Sequence, residues 1–140
     1  MFHRKNDMIL LYSFYLVVKP HLKIEVKMNG TETIQESNVA KIVIGTNIIV
    51  KCLVISEPDI NSIQWYKADN LIGVWNKTIS ITIAEQYKRR YTLMKEESTE
   101  EGKSALVLNF SSTDEDFDTF KCLASNNVGT LSTYLKLVNL

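Results

Sequence analysis

Short runs in which apolar and polar residues alternate cover most of this chain after position 18, and they constrain its fold more than any other feature. Side chains alternate between the two faces of a β-strand, so a two-residue period predicts half-buried strands. No run keeps a 3.6-residue period over the length of a helix. The runs span residues 22–26, 40–44, 47–54, 62–67, 71–75, 78–83, 90–94, 105–110, 119–125 and 130–138. We therefore predict an all-β sandwich or barrel of roughly nine strands.

Length and charge bound the number of domains and the kind of partner. The 140 residues suffice for one domain, because globular domains run to about 100–150 residues. The 16 basic residues balance 16 acidic residues, whereas a nucleic-acid-binding domain usually carries a basic surplus. Apolar residues make up 45% of the chain, enough for a packed core. We expect residues 19–140 to form a single domain that does not bind nucleic acid.

The first 18 residues differ from the rest. Residues 2–7 are polar apart from Phe2, with a basic start, and residues 8–18 are apolar apart from Ser13. This apolar stretch is too short to span a bilayer, which takes about 20 residues in a helix, but it suits a secretory signal peptide. The small-residue cleavage pattern is absent before Lys19. We interpret residues 1–18 as a signal peptide or a leader outside the domain, the alternatives being an extra strand or part of a longer chain.

The other end of the chain bears on membrane attachment. No membrane-spanning segment and no lipid-anchor tail occurs up to Leu140. The sequence as it stands therefore predicts a soluble protein, or a truncated one.

The two cysteines, Cys52 and Cys122, lie far apart in the sequence. Neither belongs to a C-x-x-C pair and no histidine follows them, so a zinc site is not indicated. They are either two buried free thiols or one long-range disulfide, and the redox compartment decides between these. Strand alternation places both on inward faces, with Trp65 on a third inward face. A sandwich core would bring the two sulfurs and the indole together.

The residues around these cysteines resemble the immunoglobulin superfamily, I-set type, from about Lys19 to Leu140. The matching residues are Cys52, Trp65, Leu106, Leu108, Asp116, Phe120, Cys122, Ala124, Asn126 and Gly129. The resemblance implies an immunoglobulin-like Greek-key β-sandwich of two antiparallel sheets, with a disulfide between Cys52 and Cys122. It also implies a core signature made of Trp65, Leu106, Leu108, Asp116 and Phe120.

A narrower resemblance is to the third domain of lachesin, IgLON and Dpr-interacting cell-surface proteins. It rests on Pro20, Ile24 and residues 44–46, 63–65 and 116–120. Two residues depart from the family pattern. Phe120 replaces the tyrosine whose hydroxyl bonds back to the backbone, and Asp118 replaces a glycine. We expect these changes to lower stability locally and to leave the fold unchanged.

Three N-x-S/T sequons, the acceptors of N-linked glycans, start at Asn29, Asn76 and Asn109. Together with the leader-like segment, they favour a secreted protein or one on the extracellular face of the plasma membrane. Asn109 lies between Leu108 and Phe110, which are both expected to point inward, so its side chain is predicted to face solvent. A glycan there would shield one sheet and leave the opposite sheet open.

The opposite sheet contains the candidate interaction residues. If Trp65, Cys122 and Leu135 point inward, alternation turns their neighbours outward. The outward set is Gln64, Tyr66, Lys121, Leu123, Tyr134 and Lys136. Two tyrosines and a leucine rimmed by lysines have the residue mix of a modest protein interface, although scattered exposed aromatic residues are also ordinary. We predict that this face binds another immunoglobulin-superfamily domain, homophilically or heterophilically.

No enzymatic activity, cofactor or metal is predicted. Both histidines lie in the first 21 residues, so we expect the domain to lack the histidine that Ser-His-Asp and Cys-His sites need. The acidic cluster at 114–118 lacks the Ca²⁺-loop pattern and is interpreted as a solvated turn. The basic run at 88–90 could contact an acidic glycan, but is interpreted as a charged strand edge that discourages aggregation.

These observations favour a non-catalytic module for extracellular protein–protein recognition or cell adhesion. One alternative is a structural spacer within a longer receptor built from several immunoglobulin domains, since third domains in the proteins it resembles often act as spacers. Another alternative is a secreted decoy that sequesters a ligand.

Overall fold

The computed structural model describes residues 18–32, 38–100 and 102–140. The predicted leader therefore lies outside the described residues, apart from Val18. Within them the chain forms eleven strands and two short 3-10 turns, at Glu85–Tyr87 and Asp114–Asp116. The strands are β1 (Val18–Met28), β2 (Thr31–Glu32), β3 (Val39–Ile42), β4 (Asn47–Glu57), β5 (Ser62–Lys67), β6 (Asn70–Asn76), β7 (Ser80–Ile83), β8 (Thr92–Glu97), β9 (Lys103–Ser111), β10 (Thr119–Ser125) and β11 (Thr130–Asn139).

The strands form two sheets that pack face to face. The order is β2-β1-β4-β9-β8 in the five-stranded sheet and β3-β11-β10-β5-β6-β7 in the six-stranded sheet. The chain changes sheets after β2, β3, β4, β7 and β9, so consecutive strands often lie in different layers, as in a Greek key. The predicted all-β sandwich is confirmed. One pair departs from purely antiparallel sheets, because β3 runs parallel to β11 at an edge.

The core lies between the sheets and is built from the inward faces that alternation predicts. Cys52 on β4 and Cys122 on β10 form a disulfide that joins the two sheets, with their Cα atoms 6.3 Å apart. The fully buried Trp65 lies opposite Cys122 in register, and its Nε1 donates a hydrogen bond to the carbonyl oxygen of Leu106 at 3.0 Å. The sequence left open whether the two cysteines are free thiols or one disulfide, and the structure contains the disulfide.

Three findings on the described residues bear on other function classes. No group of three or more His, Cys, Asp or Glu side chains is placed to hold a metal ion in this part of the chain. No helix in the same ranges is long and apolar enough to cross a membrane. His21 lies in β1 and is exposed, so the expectation of a domain without histidine is wrong.

Gly73 of β6 lies where neighbouring groups approach closely. A Cβ atom there would lie 2.4 Å from Leu93 Cδ1 and 2.7 Å from the carbonyl oxygen of Thr82. The leucine can shift, but the carbonyl belongs to the backbone of β7, which is paired with β6. We expect Gly73→Ala to lower the free energy of unfolding by about 2 kcal/mol, a typical cost of overpacking. Chemical denaturation measures this, and an unchanged unfolding midpoint would contradict the close approach.

Candidate interaction surface

The six predicted interaction residues lie together on the outer surface of the six-stranded sheet, on β5, β10 and β11. Register places Lys121 between Tyr66 and Tyr134, and Leu123 beside Gln64. We call this surface the candidate face, defined by Gln64, Tyr66, Lys121, Leu123, Tyr134 and Lys136. Its members come from three adjacent strands, so their spacing is fixed by the sheet rather than by a loop.

Two side-chain contacts hold the Tyr66 ring in place on the candidate face. The ammonium of Lys121 lies 4.8 Å from the centroid of the Tyr66 ring, within the range of a cation–π interaction. The Tyr66 hydroxyl donates a hydrogen bond to Oε1 of Gln64 at 2.7 Å. Because the ring is already ordered, its use in an interface would cost less conformational entropy. Whereas Tyr66 is half-buried, Tyr134 projects into solvent, with 52% of its surface exposed.

Two apolar residues that the sequence did not indicate extend the candidate face. Leu71 on β6 pairs with Tyr66, and Val39 on β3 pairs with Lys136. Their exposed fractions are 37% and 41%. Alternation could not place Leu71, because the register between β5 and β6 shifts after Trp65. Nor could it place Val39, because nothing in the sequence showed that β3 lies beside β11.

A buried ionic cluster lies beside the start of β10. The carboxylate of Asp116, which is fully buried, accepts two hydrogen bonds from Arg90, at 3.1 Å to Oδ1 and 2.7 Å to Oδ2. It also accepts hydrogen bonds from the Tyr91 hydroxyl and, at 2.8 Å, from the backbone N–H of Thr113. The ammonium of Lys67 lies 3.8 Å from the same carboxylate. The buried anion is therefore both paired and hydrogen-bonded, as burial requires.

This cluster corrects two interpretations of the sequence. The run 88–90 does not form a strand edge, because β8 begins only at Thr92 and Arg90 turns inward to Asp116. The acidic run 114–118 is not wholly solvated, because its middle residue is the buried anion. Arg90 and Asp116 are 26 residues apart, so no local pattern connects them.

The cluster shifts the pKa values of its members. Burial opposes ionisation of Asp116, but hydrogen bonds from Arg90, Tyr91 and Thr113 outweigh it and hold the pKa of Asp116 below its ordinary value. The hydrogen bond to Asp116 raises the pKa of Arg90, against the opposing effect of desolvation. Burial, reinforced by the hydrogen bond to the carboxylate, raises the pKa of Tyr91. Asp116 is thus ionised and Tyr91 protonated at neutral pH.

The Tyr91 ring packs against Phe120, the residue that replaces the family's tyrosine. The ring packs edge-on against Phe110 and Phe120, with ring centroids 5.1 and 6.4 Å apart. Its hydroxyl donates to Asp116, which belongs to the turn that leads into β10. The ring packed against Phe120 therefore carries a hydroxyl of its own, which donates to a carboxylate rather than to the backbone.

No protein-family model and no curated protein sequence matches the chain. Solved structures match over most of its length. A chain in the complex of Dpr2 Ig1-Ig2 with DIP-Theta Ig1-Ig3 gives a TM-score of 0.59 at 19% identity, covering 87% of this chain and 32% of that chain. Murine CRIg gives 0.57 at 12% identity, covering 86% and 98%. Titin M4 gives 0.53 at 15% identity, covering 89% and 99%. This chain has an immunoglobulin fold.

Because the sequence identities are this low, the matches show only that the chain shares the architecture of the immunoglobulin fold. The chain spans about a third of the matched chain in the Dpr2 complex and nearly the whole of CRIg and of titin M4. The signature residues occupy the interior of the immunoglobulin sandwich and are buried in every case. They are Trp65, Leu106, Leu108, Asp116 and Phe120.

The three sequons lie in different settings on the immunoglobulin sandwich. Asn29 is in an exposed turn, where its Oδ1 accepts the N–H of Asn47 at 3.0 Å. Asn76 ends β6, and its Oδ1 accepts the N–H of Thr78 at 2.8 Å. Both bonds leave Nδ2, the atom that carries a glycan, uninvolved. Asn109 lies within β9 on the outer face of the five-stranded sheet, and it is half-buried rather than fully exposed.

Proposed function

We propose that this chain is a non-catalytic extracellular immunoglobulin domain that recognises another protein through the candidate face. The observation that carries the proposal is the contiguous row of Tyr66, Lys121 and Tyr134, with Leu123 beside it and Leu71 extending it. Aromatic residues are enriched at protein interfaces. Apolar side chains that are exposed singly are scattered over a surface, whereas these lie in one row. The row is rigid because it lies on paired strands.

The partner class that we propose is a second immunoglobulin domain, either on another copy of this chain or on a different protein. One matched structure is a complex between Dpr2 and DIP-Theta, and the portions named in it are Ig domains. The narrower parts of the proposal are the I-set subtype and kinship with the third domain of lachesin, IgLON and Dpr-interacting proteins. They rest on the sequence motifs.

We further propose an extracellular location, with residues 1–18 as a signal peptide and residues 19–140 as one domain. Disulfides such as Cys52–Cys122 persist in oxidising compartments and are rare in the cytosol. The three sequons agree with passage through the secretory pathway, where Asn29, Asn76 and Asn109 would meet the glycosylation machinery.

Tyr134→Asp tests the candidate face. A multivalent form of the secreted chain, which raises weak affinities through avidity, is applied to a panel of secreted immunoglobulin-domain proteins that includes the chain itself. We expect Tyr134→Asp to weaken binding by about tenfold or more, because a charge replaces an aromatic side chain that is 52% exposed on the candidate face. Ile55→Asp is the matched control, since Ile55 is 49% exposed on the opposite sheet, and it should bind as the wild type does.

Two results of this experiment would contradict the proposed function. One is unchanged binding by Tyr134→Asp when the variant is folded. The other is the absence of any binding by the wild-type chain across the panel.

A spacer role is the second candidate, and a separate apolar surface favours it. Val43 and Ile44, in the turn between β3 and β4, are each 54% exposed. The nearby Leu140 is 77% exposed, and its N–H donates to the carbonyl of Ile42 at 2.9 Å. Apolar residues grouped at one end of a sandwich suit packing against a neighbouring domain. A spacer role would be favoured over recognition if Ile44→Asp abolished packing against a neighbouring domain while Tyr134→Asp left that packing unchanged.

A further inference from the structure

The outer surface of the five-stranded sheet carries a groove of about 530 Å³, and Asn109 lines it. In register, Asn109 is flanked by Ile49 on β4 and by Thr92 on β8. The next outward-facing row along the sheet contains Val107 and Met94. The groove thus runs from a glycan acceptor across an apolar floor.

The far side of the groove is polar. There the ammonium of Lys51 lies 3.2 Å from Oε1 of Glu96, and this ion pair crosses from β4 to β8 above β9. Met94 on the floor is 56% exposed, although Val107 beside it is only 5% exposed. The exposed Met94 and the half-buried Ile49 give the groove an apolar surface on which another group can pack.

We propose that an N-linked glycan on Asn109 folds back into this groove, and that its first sugars pack on Ile49 and Met94. N-acetylglucosamine has an apolar ring face and an acetyl methyl group that fit such a floor, and its hydroxyls can reach the Lys51–Glu96 pair. Within the described ranges the Asn109 side chain makes no hydrogen bond that would compete with the linkage. The inference rests on the proposed extracellular location.

This occupant is favoured over a protein partner because its attachment point lies in the groove itself. Asn109, Phe110 and Ser111 form the sequon, and Ser111 is exposed at the end of β9. A glycan held in this position covers the part of the five-stranded sheet that β4, β8 and β9 form, and it leaves open the opposite sheet, which carries the candidate face.

Enzymatic trimming of the native glycoprotein tests the inference. The full chain is secreted from cells that leave glycans in the high-mannose form and is treated, undenatured, with an endoglycosidase. Asn76, which ends β6 and is followed by the exposed turn residues Lys77 and Thr78, is the internal control. We expect trimming at Asn109 to be about tenfold slower than at Asn76, because only the undocked fraction is cleaved. After denaturation the two rates should be equal.

A pair of variants separates docking from simple crowding. Met94→Ser removes an exposed part of the floor and should raise the trimming rate at Asn109 towards that at Asn76. Tyr134→Ser, a change at a similarly exposed position on the opposite sheet, should leave the rate unchanged. Equal native rates at Asn109 and Asn76 in the wild type would overturn the inference, as would an unchanged rate in Met94→Ser.

Site occupancy, measured by mass spectrometry of glycopeptides, separates failure of the inference from failure of the proposed function. A secreted protein glycosylated at Asn29 and Asn76 but not at Asn109 would overturn the inference and leave the proposed location intact. Retention of an unglycosylated chain inside the cell would overturn both.

Discussion

Replacing Cys52 and Cys122 together by alanine is expected to lower the free energy of unfolding by about 4 kcal/mol. The disulfide closes a loop with a sequence separation of 70 residues, and the chain entropy that it removes from the unfolded state grows with loop length. Loops of about 15 to 100 residues correspond to about 3–5 kcal/mol in this treatment. Single domains are stable by only about 5–15 kcal/mol, so much of the stability depends on this bond.

Chemical denaturation of the wild type and of the double variant measures this effect. Both cysteines are held in the disulfide, so the wild type offers no free thiol, and alkylation should remain negligible with or without denaturant until a reductant is added. Wild-type protein reduced while unfolded should match the double variant and serves as its control. Equal unfolding midpoints for the oxidised wild type and the double variant would contradict the expectation, as would alkylation without reductant.

Asp116→Ala is expected to be the most damaging single change in the polar part of the core, costing about 3 kcal/mol or more. It removes the anion that pairs with Arg90 and leaves the ammonium of Lys67, which is largely buried, without its counter-charge. The Tyr91 hydroxyl also loses its acceptor. Removal of one partner from a buried pair is costly because the remaining charges stay desolvated.

The same carboxylate predicts a dependence of stability on pH. The pKa of Asp116 is lowered on folding, so near the unfolded pKa of about 3.9 the unfolded state binds more protons than the folded state. Stability from this group is therefore fully present above about pH 5, and it is lost as the pH falls towards the folded pKa. Asp116→Asn should remove this contribution and flatten the acid side of the curve.

Urea denaturation of the wild type, of Asp116→Asn and of a control variant between pH 3 and pH 7 measures this window. The control is Asp114→Asn, because Asp114 lies in the same 3-10 turn but is exposed. Its curve should follow that of the wild type. If the two asparagine variants lose stability equally with falling pH, the buried ion pair does not dominate the acid response.

Sequence reasoning predicted the inward-facing part of the structure well. The alternation that placed Cys52, Trp65 and Cys122 inward is a property of each strand taken alone, since successive side chains point to opposite faces. The outward position of Tyr66 and Tyr134 follows from the same rule. The pairing of the two cysteines came from the family resemblance, and the structure contains it.

The parts that sequence reasoning missed all depend on which strands are neighbours. Arg90 meets Asp116 only because the approach to β8 packs against the turn before β10. Gly73 is needed only because Leu93 and the β7 backbone crowd it. Leu71 joins the candidate face only through a register shift between β5 and β6.

The sequence by itself therefore determined the fold class and the face on which each strand residue lies, because those follow from local backbone geometry. Only the tertiary structure decided the ionic cluster, the crowding at Gly73 and the groove beside Asn109. Each of these brings together residues from different strands, and the contacts between strands are fixed by packing and register rather than by any pattern within one strand.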